Sequence, residues 1–214
     1  MIDTLLLLAK EPIPGRVKTR LVPPLRFEQA ADLALAALAD TLRVASMVPA
    51  RRRVLVLDGA AGAWLPAGWR CAAQRGGGLD ARLAAAFSHT SHGPTLLIGM
   101  DTPQLRASQL TAFDPRRYDA CLGPAADGGY WAIGFGDPRH AAEAIPGVPM
   151  STACTGAMQL QRMCALGLRV QLLDTLEDVD TADAAARVAA EAPDSAFGRA
   201  VRALAVETVP QAVS

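Results

Sequence analysis

The chain of 214 residues contains 21 Lys+Arg, yet its only lysines are Lys10 and Lys18. Both fall in Ala9-Lys10-Glu11-Pro12-Ile13-Pro14-Gly15-Arg16-Val17-Lys18-Thr19-Arg20-Leu21, where Arg16 and Arg20 add two more cations against one acid, Glu11. Arginine serves everywhere else, so this stretch selects for a compact, mobile ammonium over a planar guanidinium. The apolar run Leu5 to Leu8 before it reads as a first strand. Pro12, Pro14 and Gly15 keep the backbone out of helix and ladder, so the whole stretch reads as a loop. A cationic loop at the carboxyl end of a first strand is a place to hold phosphates, with Lys10, Gly15, Arg16, Lys18 and Arg20 as the contacting set. On composition alone the alternative is a solvated basic loop.

Carboxylates appear at three later points. Within Thr95 to Leu105 a continuous apolar run is stopped by Gly99 and Pro103. It predicts a buried parallel strand delivering Asp101 at its carboxyl end, with Thr102 free to cap a following helix. A carboxylate facing a phosphate loop can hold Mg²⁺ or Mn²⁺, because such ions bind through one or two carboxylates plus substrate oxygens. In the glycine-rich segment Gly123 to Tyr130, Asp127 either acts on an acceptor group or starts the turn. Gly128 and Gly129 permit positive φ and close approach of a ligand. Asp178, Asp180 and Asp183 precede an alanine-rich helix, where acids are favourable on electrostatic grounds alone.

The elements that position these residues alternate. Helices are predicted over about 27–48, 79–87 and 151–166, the last opened by a Ser/Thr cap, with another after residue 183. Strands are predicted over 51–57, 69–73, 95–98, 118–122, 131–135 and 168–173. Residues 193–214 read as a further helix and a loose tail. This is an α/β pattern: one domain over 1–214, with a mostly parallel sheet between helical layers.

Hydrophobic content of 51% and charged content of 20% suit a globular core. A formal net charge of +0 excludes global attraction to nucleic acid or an anionic membrane, so anion binding is local. Cys71, Cys121, Cys154 and Cys164 lack metal spacing and read as core residues in a reducing, cytoplasmic setting. His89 and His92 read as a solvated pair. No leader and no 18-residue apolar run is evident. Val17 stands where a P-loop needs glycine, no G-x-G-x-x-G follows the first strand, and no G-x-S-x-G occurs. The surviving chemistry is transfer at a phosphate or diphosphate, driven by positioning and charge neutralisation.

Taken together, Ala9-Lys10-x-Pro12-x-Pro14-Gly15-x-Val17-Lys18-Thr19-Arg20-Leu21, Gly99-x-Asp101-x-Pro103-x-Leu105 and Gly123-Pro124-Ala125-x-Asp127-Gly128-Gly129-Tyr130 resemble the bacterial rSAM/selenodomain-associated transferases. Asp178-Val179-Asp180-Thr181 extends the resemblance to about residues 1–190. Two departures stand out: Gly77-Gly78-Leu79-Asp80-Ala81-Arg82 replaces a Gly-Asp-Leu-Gly-Glu-Arg element, and Val148-Pro149-Met150 replaces a tryptophan-bearing segment. The resemblance implies the GT-A fold of the nucleotide-diphospho-sugar transferase superfamily. Within it, Val17 to Leu21 is similar to the lysine loop of 2-phospholactate guanylyltransferases. Asp178 to Thr181 is similar to an Asn-x-Asn-Thr element of molybdenum-cofactor nucleotidyltransferases, which implies Asp180 as the partner of Asp101 at the metal.

The expectation is therefore an enzyme transferring a nucleotidyl group from an NTP to a small phosphorylated acceptor. Lys18, Asp101 and Asp127 are its expected catalytic residues. Asp101 and Asp180 are expected to hold Mg²⁺ or Mn²⁺, and Asp127, Gly128, Gly129 and Tyr130 to present the acceptor. Glycosyl transfer from a nucleotide-sugar, or nucleotide binding without catalysis, are the alternatives. Partners are small molecules, with no nucleic acid or membrane, and the chain is a monomer or homodimer.

Overall fold

The computed structural model describes residues 1–207. Seven strands form one sheet: β1 Thr4–Lys10, β2 Arg52–Asp58, β3 Arg70–Ala73, β4 Thr95–Ile98, β5 Ala120–Pro124, β6 Tyr130–Phe135 and β7 Val170–Leu172, in the order β3-β2-β1-β4-β6-β5-β7. The central strands β1 and β4 are apolar on both faces because both faces are covered. Leu5, Leu7 and Ala9 face α1 (Phe27–Met47), through Ala34, Leu38 and Leu42, and α3 (Ala107–Leu110). Leu6, one residue out of phase, faces α2 (Leu79–Ala86), α4 (Ala141–Ala144) and α5 (Thr155–Ala165). The result is a three-layer α/β/α sandwich.

A third cluster covers the outer side of α1 with α6 (Ala182–Glu191) and α7 (Ala196–Glu207), through Leu33, Ala37, Val188 and Phe197. Leu21 and Val179 lie in that cluster and are fully buried. Each such side chain contributes about 2 kcal/mol of burial. Together they press the loop after β1 against the segment before α6, a contact on which the site depends.

The sheet is mostly parallel, but β6 runs antiparallel to both β4 and β5. Hairpin geometry is the cause: only the segment Ala125–Gly129 separates β5 from β6, and Ala125 N–H donates to Gly129 O at 3.0 Å. Several sequence expectations need correction. The stretch from Ala9 is not all loop, because β1 continues through Lys10, paired with Asp58, and Thr19–Leu21 forms a 3₁₀ turn. The first proline comes only at Pro12, so nothing stops the ladder sooner.

The helix expected from Ser151 begins at Thr155, without a side-chain cap from Cys154. Ser151 has φ 59°, which no helix accommodates, and the Thr155 hydroxyl donates backwards to Pro149 O at 3.0 Å. Thr102 does not cap α3, which starts at Ala107, and among the described residues its buried hydroxyl has no partner. Of the cysteines only Cys121 is in the core, while Cys71, Cys154 and Cys164 are exposed. The tail expected at the C-terminus, beyond Glu207, lies outside the described residues.

The start of α7 is held from a distance. Asp40, buried within α1, accepts from Ala196 N–H at 3.1 Å and Phe197 N–H at 2.8 Å. These are first-turn amides with no partner inside their own helix. Asp40→Ala should therefore cost about 2 kcal/mol, the worth of a charged acceptor on buried amides. Urea unfolding measures it, and a change below about 0.5 kcal/mol, as for a neutral surface substitution, would refute the capping role.

Candidate functional site

The loop after β1 is pinned on both sides of Lys18. Val17 packs into the core beneath α1 and Leu21 into the outer cluster. Between them Lys18 takes the left-handed conformation, φ 49° and ψ 35°, which costs a non-glycine residue about 1 kcal/mol or more. That geometry turns the side chain inward until only 6% of it is exposed. Its Nζ lies 2.6 Å from Asp101 Oδ1 and 3.4 Å from Asp180 Oδ1, and it donates to the carbonyl of Val179. All three ammonium hydrogens therefore have partners. Burial alone would pull the Lys18 pKa down, but the Asp101 and Asp180 carboxylates outweigh it and the net shift is upward.

Two backbone-level ties bring the carboxylates to that point. Val179 N–H donates to Asp101 O at 2.9 Å, and Gln104 Nε2 donates to Glu177 O at 2.7 Å. These lock the exit of β4 onto the segment before α6. Thr181 then caps α6, its hydroxyl accepting from Ala184 N–H at 3.1 Å, so Asp180 falls just outside the helix. Arg20 Nη1 reaches the second Asp180 oxygen at 3.1 Å. Asp178 is mostly buried nearby, and among the described residues one of its oxygens has no partner. Burial, followed by the Asp101 and Asp127 charges, pushes its carboxyl up to about 7, partly offset by Lys18.

A cleft of about 550 Å³ opens along the carboxyl ends of β1 and β4 and the start of β6. Lys10, Arg16, Lys18, Arg20, Asp101, Asp127, Gly129, Tyr130 and Asp180 all line it. Lys10 makes no ion pair among the described residues, whereas Arg16 stands 3.8 Å from Asp58. Lys18 and Arg20 meet the acids Asp101 and Asp180 directly, while Lys10 and Arg16 line the cleft away from those pairs. Leu8, Leu79, Leu83, Leu97 and Met150 add apolar lining. Charged groups with apolar lining suit an amphipathic ligand carrying phosphates.

Gly15 and Gly128 do not line the cleft. Gly15 has φ 78° and turns the loop, while Gly128, at φ 90°, seats the Asp127 loop against the approach to α5. A Cβ on Gly128 would lie 2.0 Å from Ala153 O. Asp127 is exposed, and its Oδ1 accepts from Gly129 N–H at 2.8 Å, so it does start the turn while facing the cleft.

The site also contains residues that the motifs did not assign. Asp178 was the first acid of its motif but carried no role, and its buried, unpartnered oxygen is visible only in three dimensions. Arg82 lines the cleft from α2 and lies 3.8 Å from Asp58. It is the arginine that ends Gly77-Gly78-Leu79-Asp80-Ala81-Arg82, and that position was the available signal. Ser151 and Thr152 line the far wall.

Among the described residues no three His, Cys, Asp or Glu side chains group as a metal-ligand set. The two carboxylates of Asp101 and Asp180 nevertheless converge on one cation, the Lys18 ammonium. An all-oxygen pair fits a hard divalent ion that takes its remaining ligands from a substrate.

The chain superposes on a solved protein from Desulfovibrio desulfuricans G20, assigned provisionally as a nucleotide-diphospho-sugar transferase. The TM-score is 0.86, the identity 26%, and 96% of each chain is covered. A UDP-glucose pyrophosphorylase from Acinetobacter baumanii matches with TM-score 0.57 and 10% identity over 98% of this chain and 100% of that one. CMP:2-keto-3-deoxy-manno-octonic acid synthetase, solved with CTP, matches with TM-score 0.51 and 12% identity over 97% and 100%. At such identities the last two show the fold alone. A comparison with curated proteins finds no match. Residues 34–152, more than half of the chain, match the family described as "uncharacterized protein conserved in bacteria". The chain belongs to that family, DUF2064.

Proposed function

We propose that this protein is a cytoplasmic, metal-dependent nucleotidyltransferase that joins an NTP to a small phosphorylated acceptor. The observation that carries the reading is the meeting, in one cleft, of the cations from the β1 loop with Asp101 and Asp180. The resemblance of both segments to nucleotidyltransferase motifs supports it. So does the fold, shared with a protein solved with CTP and with a pyrophosphorylase of UDP-glucose.

In this reading Lys10, Arg16 and Arg20 bind the triphosphate, and Lys18 joins them once its present partners are exchanged for phosphate oxygens. Asp101 and Asp180 would hold a divalent ion, which would supply further positive charge to offset that of the phosphates. The Asp127-Gly128-Gly129-Tyr130 segment presents the acceptor. An acceptor phosphate oxygen attacks the α-phosphorus, the bond to the bridging oxygen breaks, and pyrophosphate leaves with the electron pair. Catalysis then rests on in-line positioning and charge neutralisation. A second reading, glycosyl transfer, is favoured by the assignment of the 26%-identical relative. It breaks the sugar–phosphate bond instead and releases a nucleoside diphosphate.

The test is to incubate the protein with Mg²⁺, each NTP and a pool of small phosphorylated metabolites. Pyrophosphate release is expected. Release of nucleoside diphosphate from a nucleotide-sugar would replace this reading with the second, and release of neither would leave a binding protein. Asp101→Asn should lower kcat/KM by about 100-fold or more while leaving the melting temperature within a few degrees. Full activity of that variant would refute the metal assignment. Arg16→Ala and Arg20→Ala should each raise the KM for NTP roughly tenfold with little change in kcat. Both are exposed cations that bind the ground state and transition state alike. A fall in kcat at unchanged KM would place them in the chemical step instead.

A further inference from the structure

We infer that Lys18 is the built-in counter-ion of the metal site, so that its ammonium and a divalent cation occupy the Asp101–Asp180 pair in turn. The inference rests on the reading of those two carboxylates as metal-holding. It goes further by assigning Lys18 a second position and a competition that sets when metal can bind.

The geometry leaves little choice. The ammonium touches both carboxylates, at 2.6 and 3.4 Å, and the Val179 carbonyl between them. A divalent ion bound by the same two oxygens would face, a few ångströms away, an ammonium whose own side chain is only 6% exposed, and the two like charges would repel. Lys18 and the ion therefore compete for those two oxygens. The opposite extreme, carboxylates with no cation, is also unfavourable, because Asp101, Asp127 and Asp180 all lie on this cleft and repel one another. One cation must be present, and Lys18 supplies it when metal is absent.

Lysine suits an exchangeable role. A four-carbon stem with a point charge can swing between partners, whereas an arginine fork would bind the carboxylate pair in a fixed bidentate geometry. This explains why a chain that otherwise uses arginine places one of its two lysines here. The left-handed backbone at Lys18 holds the root of the stem between Val17 and Leu21, both buried, so only the side chain need move. Arg20 already holds the outer Asp180 oxygen, which leaves the inner one to be exchanged. Metal should then enter most readily with a phosphate-bearing ligand, whose oxygens receive the displaced ammonium. Binding of metal and nucleotide would be positively coupled through this one side chain.

The test uses Mn²⁺ alone, without nucleotide and without turnover. Lys18→Met keeps the length of the stem and removes the charge. By calorimetry or the paramagnetic resonance of free Mn²⁺, this variant should bind Mn²⁺ at least about tenfold more tightly than the natural protein. Asp180→Asn in the same background should reverse the gain. Equal or weaker Mn²⁺ binding by Lys18→Met would overturn the inference, as would failure of both proteins to bind.

Should Lys18→Met not fold, the natural protein still decides. Selective ¹³C labelling of lysine gives two Cε signals, one each from Lys10 and Lys18. Saturating Mg²⁺ should move the Lys18 signal toward that of a solvated lysine, and bound Mg²⁺ with an unmoved Lys18 signal would refute mutual exclusion. Because no transfer is measured, failure of the proposed reaction leaves this result standing, and success here does not establish the reaction.

Discussion

The contact of the Lys18 ammonium with Asp101, Asp180 and the Val179 carbonyl is the constraint around which the functional face is built. It joins three stretches far apart in sequence: the loop after β1, the exit of β4 and the approach to α6. None would adopt its geometry alone. The left-handed backbone at Lys18 is unfavourable for lysine, and the acids that meet there repel one another. Burial of Leu21 and Val179 in one cluster brings the backbones together, and the ammonium then neutralises what that packing has concentrated. Apolar packing thus positions the site, and the ion pairs fill it.

The sheet gives the cleft its two unlike sides. Strands β1, β2, β3 and β4 run parallel, so their carboxyl ends deliver Lys10, Asp58 and Asp101 to one edge. Because β6 is antiparallel, its beginning, at Tyr130 and Trp131, comes to that same edge together with the Asp127 turn. A wholly parallel sheet would put a strand's end there, not its beginning. This reversal lets a compact hairpin, without a helical crossover, face the loop after β1. Gly128 makes the fit possible, since its backbone lies against Ala153 with no room for a side chain.

Much of this was legible in the sequence, for identifiable reasons. Continuous apolar runs located β1 and β4, and the residues that interrupt them marked where function begins. The concentration of both lysines in one stretch pointed to a cleft that both of them line. What the sequence did not convey were consequences of approach in space. That Lys18 faces carboxylates in the structure depends on an αL backbone at a non-glycine residue, which no propensity favours. The buried state of Asp178 depends on packing by segments remote in the chain. The late start of α5 reflects the strained Ser151 and the backward hydrogen bond of Thr155, whereas Ser-Thr by itself reads as a cap. The antiparallel pairing of β6 turned on a short glycine turn whose partners could not be chosen from one strand alone.

The most direct test of the account is a thermal-shift panel of the four NTPs and common nucleotide-sugars, each with and without Mg²⁺ or Mn²⁺. A ligand that binds only the folded state raises the melting temperature by mass action, so neither the acceptor nor the reaction need be known. The account predicts a rise with one NTP that depends on the divalent ion, and little rise with that ion alone. A panel in which no nucleotide shifts the transition would contradict it.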